Sequence, residues 1–237
     1  MRARTRPGRL RALDAWLLHE HAPLLSRARQ VVDVGFGESP VTVYELADAL
    51  RAAHPALAVH GVEQVAYRVP PPPWPEGVTL GADGVQGPVS VVRAMNVLRG
   101  LGEADAAALQ TQLGQALEPD GLLLEGSSDT DGHLLTCHVL RRGEGGLAGE
   151  VLFFSDFSRG FSPWQFRDWL PRDLRRNVKP GTAVHALLTS WDEAITHAGA
   201  REPVRRFLCA LDLVPGLAAT SWEREHGFVR WIGYTQP

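Results

Sequence analysis

The chain has 237 residues, 44% of them hydrophobic and 22% charged, with a formal net charge of −3. That length and composition suit one large globular domain with a full core, and the charge gives no overall pull toward nucleic acid. No apolar run approaches the ~20 residues of a membrane span, and the N-terminus lacks the apolar core of a secretory signal, so a cytoplasmic protein is expected.

Two cysteines, Cys137 and Cys209, have no metal-ligand spacing and are read as buried thiols. Lys179 is the only lysine, so arginine clusters in this chain reflect a compositional bias and are discounted accordingly. Arg2, Arg4, Arg6, Arg9 and Arg11 crowd the first segment, which is read as a frayed arm rather than an RNA- or membrane-contacting one. Leu10, Leu13, Leu17 and Leu24 then recur at helical spacing and predict an amphipathic helix over 9–28, with His19 and His21 on its surface.

The run Val31-Val32-Asp33-Val34-Gly35-Phe36-Gly37-Glu38-Ser39-Pro40 reads as a buried strand, a glycine turn and a helix start. Gly35 and Gly37 permit a tight turn and close approach to a ligand, and Ser39 and Pro40 suit the cap and first position of the next helix. Val43, Leu46, Ala47 and Leu50 would form that helix's inward face. A dinucleotide fingerprint needs a third glycine where Pro40 stands, and Glu38 already puts negative charge at the helix N-terminus, which argues against NAD or FAD. Asp33, two places before the first glycine, instead suits a ligand with a cationic amino group.

The second strand, Leu57 to Val62, ends in Glu63, placed to hydrogen-bond both hydroxyls of a ribose. Pro70 to Pro73 forbid a long helix after it and form a stiff connector. Val78-Thr79-Leu80 is the third strand and Val89 to Ala94 the fourth. A helix over 104–117 and the turn Glu118-Pro119-Asp120-Gly121 lead into a fifth strand, Leu122 to Gly126.

In this order, residues 30–127 resemble the class I S-adenosylmethionine-dependent methyltransferases. The glycine stretch resembles their motif I with Ser39 in place of the third glycine. Leu117-Glu118-Pro119-Asp120-Gly121 with its apolar strand resembles their post-motif IV signature. The resemblance implies an α/β fold with a Rossmann-like, mostly parallel seven-stranded sheet flanked by helices on both faces. It implies S-adenosylmethionine as cofactor and S-adenosylhomocysteine as product. It also implies a cofactor site of Asp33, Gly35, Phe36, Gly37, Glu63, Asp83, Arg93 and Asn96, with Asp83 toward the adenine and Arg93 and Asn96 toward the methionine end. Ser90 stands where the family commonly has an acid, which puts that acid's chemistry in doubt.

Beyond 127 the pattern departs from the family. His133 to Arg142 and Glu150 to Phe157 read as a hairpin, the first arm antiparallel to the fifth strand. Asp129 and Asp131 lack the remaining ligands of a calcium loop, so no metal is expected. Asp129, His133 and Asp156 are the candidates for a general base. A helix over 161–176 mixes Trp164, Phe166 and Trp169 with arginines, and is read as amphipathic rather than as a base-stacking platform. A further helix over 189–198, another after Val204 and a final strand-like run over 227–234 complete the chain.

The expected organisation is an N-terminal arm and helix over 1–29, a binding core over 30–160 and a C-terminal elaboration over 161–237 that would contact substrate. The expected function is methyl transfer to an unidentified small molecule. The alternatives are an RNA methyltransferase or RNA-binding module, and a cofactor-binding protein without activity.

Overall fold

The computed structural model describes residues 6–199 and 201–232. Arg2 and Arg4 of the arm, and Gly233 and Tyr234 of the last run, lie outside the described residues. Where the leucine spacing predicts one helix, two occur, α1 (Arg11–Glu20) and α2 (Ala22–Leu25). Pro23 has no N–H to bond back to His19, so the ladder stops and restarts. The break turns His21 inward, contrary to the surface position expected: it is buried against Trp16, ring centroids 4.8 Å apart.

β1 (Gln30–Val34) and α3 (Val41–Ala53) flank the glycine loop. Pro40 is the N-cap residue and no side chain caps the helix, so it starts one position later than expected. Its predicted inward residues Val43, Leu46, Ala47 and Leu50 are all buried. After β2 (Ala58–Val62) the prolines leave only a 3-10 turn, Ala66–Arg68, before β3 (Val78–Gly81). β4 (Val89–Met95), α4 (Glu103–Ala116) and β5 (Leu117–Ser128) follow. The expected turn at 118–121 is absorbed into β5 as an irregularity: its register against β4 jumps from Leu117 to Leu122, and Asp120 has φ 62°.

β6 (Leu134–Gly143) and β7 (Gly146–Ser155) form the expected hairpin, β6 antiparallel to β5. The helix expected over 161–176 is instead a 3-10 segment, Pro163–Asp168, and α5 (Arg172–Arg176), separated at Pro171. α6 (Ala183–Ala198) begins earlier than expected because the Thr182 hydroxyl accepts the His185 N–H. α7 (Pro203–Leu208), α8 (Ala210–Leu213), β8 (Leu217–Ala218), α9 (Ser221–His226) and β9 (Phe228–Trp231) complete the described chain.

Among the described residues all strands join one sheet of nine, two more than expected, in the order β3-β2-β1-β4-β5-β6-β7-β9-β8. β3 through β5 in that order are parallel, a Rossmann-like half. The remaining pairings are antiparallel, and between β6 and β7 the two-residue connection 144–145 can only reverse the chain. The two-residue period separates the faces. Val31, Leu124, Cys137 and Leu152 pack with α1 and α3, whereas Val32 and Leu123 pack over α4, and Val151 and Phe153 over α6. Glu223, wholly buried, joins distant parts: it accepts Trp16 Nε1 from α1 at 2.9 Å and Arg230 Nε from β9 at 3.1 Å. Among the described residues no helix is long and apolar enough to cross a membrane.

Candidate functional site

β1 lies between β2 and β4, whose connections leave in opposite directions, so a crevice opens at the C-terminal ends of these strands. A cavity of about 640 Å³ occupies it, a size that takes a drug-sized ligand. Four strand ends furnish its floor in spatial order: Glu63 after β2, the glycine loop after β1, Asn96 after β4 and Ser128 at the end of β5. From β2 to β5 is three strand spacings, about 14 Å.

The loop's form follows from its glycines. Gly35 has φ +75° and its N–H donates to Val62 O at 2.7 Å. A Cβ at Gly35 would stand 2.6 Å from Val97 Cγ2, so glycine fits here both for its φ and for the close approach of Val97. Gly37 N–H donates to Glu63 Oε2 at 2.8 Å, and Val65 N–H to Glu63 Oε1 at 3.1 Å. Arg68 approaches the same carboxylate at 3.8 Å. Phe36 lends the pocket its edge while its side chain packs in the core. Asn96 adopts φ 62° and exchanges 3.4 Å contacts with Ser128.

Asp33 reaches the pocket from below, and both its oxygens are engaged. Arg93 donates to them from Nε at 2.8 Å and Nη2 at 3.0 Å, and Thr42 from its hydroxyl at 3.2 Å. Arg93 also pairs with Asp14 of α1. Burial, opposed by Arg93, pushes the Asp14 carboxyl up to about 6. Arg93 is completely buried and does not line the cavity. It is a structural counter-charge that ties α1, β1 and β4 together beneath the glycine loop.

The far end of the cavity is lined by groups that sequence reasoning did not select. Arg9 donates to the Ser128 hydroxyl at 2.8 Å and to the Ser128 carbonyl at 3.2 Å. Arg99 lies over the Trp169 ring, 4.9 Å from its centroid, and donates to Asn96 Oδ1 at 3.3 Å. Arg175 and Arg172 hold the backbone here, donating to the carbonyls of Arg99 and Leu101. Burial and the neighbouring Arg99 lower the Arg9 pKa; burial and Arg175 lower that of Arg99. Arg9 belonged to the basic arm, read as a frayed terminus, and Trp169, Arg172 and Arg175 to the mixed aromatic and arginine stretch, read as amphipathic; Arg99 carried no sequence signal.

Of the sequence-predicted residues, Asp33, Gly35, Phe36, Gly37, Glu63 and Asn96 meet in this pocket. Asp83 is not among its lining residues, where Gln64 and Val65 stand beside Glu63 instead. Nor are the three base candidates. Asp129 binds Leu134 N–H and Arg159, at 3.3 Å each. His133 and Asp156 bond each other at 2.6 Å, joined by Ser158.

No protein-family model and no curated protein matches this sequence. Partial likenesses exist among solved structures. An O-methyltransferase family protein from Burkholderia thailandensis is 15% identical with a TM-score of 0.36, over 51% of this chain and 39% of that one. Mitomycin 7-O-methyltransferase MmcR is 21% identical at TM-score 0.33, over 50% of this chain and 38% of that one. Magnesium protoporphyrin IX methyltransferase (ChlM) from Synechocystis PCC 6803, with bound SAH, is 18% identical at TM-score 0.36, over 50% of this chain and 54% of that one. The matched part thus spans about half or less of each of these proteins' own length.

Proposed function

We propose that this pocket binds S-adenosylmethionine and that the protein transfers its methyl group to a small-molecule acceptor. The observation that carries the reading is the Glu63–Gly37 contact, which fixes an acidic group and an open glycine loop side by side at the sheet's switch point. The residues fit such a ligand. Glu63 keeps acceptor capacity for ribose hydroxyls beyond the two N–H groups it holds, and Gly35 and Gly37 line the cavity with backbone alone.

S-adenosylmethionine supplies, when bound, a methyl group on a positively charged sulfur that is already an activated leaving group. The protein's work is therefore to position and to exclude water. Glu63, Gln64 and Val65 receive the nucleoside. Gly35, Phe36 and Gly37 offer backbone along the middle, while Asn96, Ser128 and Arg9 surround the amino-acid end. Asp33 acts there through the field of its ion cluster: with Asp14 ionised, two carboxylates face one guanidinium, leaving net negative charge below a cationic ammonium and sulfonium.

Calorimetric titration with S-adenosylmethionine, S-adenosylhomocysteine and NAD, beside a Glu63→Ala variant, tests the reading. Micromolar binding of the two sulfur nucleosides, lost in the variant, is the expected result. Binding of NAD alone, or of none, overturns it.

A further inference from the structure

The acceptor end of the pocket is cationic and lacks a proton acceptor. Among the described residues lining the cavity there is no histidine, cysteine, tyrosine or lysine. Its two carboxylates are engaged, Asp33 by Arg93 and Thr42, Glu63 by two backbone N–H groups and Arg68. Among the described residues, the hydrogen bonds of Arg9 and Arg99 go to hydroxyl, amide and carbonyl oxygens, Arg99 also lies over the Trp169 ring, and the Asp129 and Asp168 carboxylates act on Arg9 and Arg99 through space. Both guanidiniums line the same cavity, and no carboxylate is hydrogen-bonded to either. On the reading above, the carboxylate of the amino-acid end would pair with one of them, Arg9, beside Ser128. Arg99 remains, placed over the Trp169 ring in a cavity that Leu101 and Thr130 also line.

Resting on the reading above, we propose that the acceptor is a small organic carboxylate, held by Arg99 and converted to its methyl ester. A planar guanidinium is matched to a carboxylate and stays charged throughout the accessible pH range. An acceptor that must first lose a proton needs a base within hydrogen-bond reach, and this end of the pocket supplies none. A carboxylate is ionised before it binds. One of its oxygens uses its own electron pair to form an O–CH3 bond as the S–CH3 bond breaks. That bonding pair stays on sulfur, which becomes a neutral thioether, and no proton is gained or lost.

Binding of benzoate and of its neutral isostere benzamide to the S-adenosylhomocysteine-loaded protein tests the proposal by calorimetry, without relying on turnover. Benzoate is expected to bind at least about tenfold more tightly, the scale of a hydrogen bond to a charged group. Arg99→Gln should abolish that preference and Arg99→Lys retain part of it, with S-adenosylhomocysteine affinity and melting temperature near wild type in both. Equal affinity for the two probes, no binding of benzoate, or a preference that survives in Arg99→Gln overturns it. A second arm offers methyl-labelled S-adenosylmethionine with aromatic and aliphatic carboxylic acids and the matching phenols and amines. Label that alkali releases as volatile methanol supports the proposal, whereas base-stable label, or none on any acid, overturns it. Failure of S-adenosylhomocysteine itself to bind would instead strike the underlying reading.

Discussion

Asp33 on β1 and Arg93 on β4 are cross-strand partners in register, with Arg93 Nε donating to Asp33 Oδ1 at 2.8 Å in a wholly buried position. Removing one partner of such a pair leaves uncompensated charge in the interior, at a cost of about 3–5 kcal/mol. Arg93→Met strands two carboxylates and Asp33→Asn strands none, since Arg93 keeps Asp14. Urea unfolding is expected to show the larger loss for Arg93→Met; equal losses would contradict the account.

Two buried groups give opposite pH dependences. Asp14 is raised to about 6, mainly by burial, so the folded state holds its proton more tightly than the unfolded chain, and the stability this adds is lost as pH rises from about 4 to 6. His21 is lowered to about 4, by burial and then by Arg141 and Arg230, so its contribution is lost as pH falls from about 6.5 to 4. In the wild type the two slopes oppose each other between pH 4 and 6. Melting curves of Asp14→Asn should fall more steeply on acidification than wild type, and those of His21→Gln less steeply.

Gly35→Ala meets both an unfavourable φ and the Val97 side chain. Val97→Ala in the same chain removes the clash but not the backbone strain, which for an L-residue at positive φ costs on the order of 1 kcal/mol. S-adenosylhomocysteine titration is expected to show binding lost in the single variant and regained only in part in the double one.

Glu125, buried in β5, is pushed up to about 7, chiefly by burial, against the lowering effect of His138. Its ionised form is thus disfavoured in the folded state, and Glu125→Gln, a neutral isostere, should stabilise the protein at pH 8. The gain is on the order of 1–3 kcal/mol, shrinking toward pH 5. Chemical denaturation at the two pH values measures it.

The parallel half of the fold was legible because its strands are apolar runs, valine-bearing in β1 to β4 and leucine-rich in β5, punctuated by glycine or proline, and because the Glu63 position follows from strand order alone. The breaks at Pro23 and Pro171 were legible in principle, yet regular leucine and aromatic spacing obscured them. Asp33 was chosen for the charge it shows in sequence, but that charge is largely answered by Arg93, a residue sixty positions away that only strand pairing brings beside it. Arg9 and Arg99 were hidden for a related reason. Their shared space is made by the chain's first described segment, the β4 loop and Trp169, and nothing in local sequence distinguishes them from the chain's other arginines.

Glu223 has a consequence for how the molecule comes apart. Its one carboxylate takes hydrogen bonds from the early helix that carries Asp14 and from β9 near the end of the described chain. Fraying of either segment leaves the buried Glu223 carboxylate on α9 with one partner fewer, so the two ends should open together. Exchange of amide hydrogens in α1 should then track that in β9, and a lesion in the last strand would be felt beneath the glycine loop through Asp14 and Arg93.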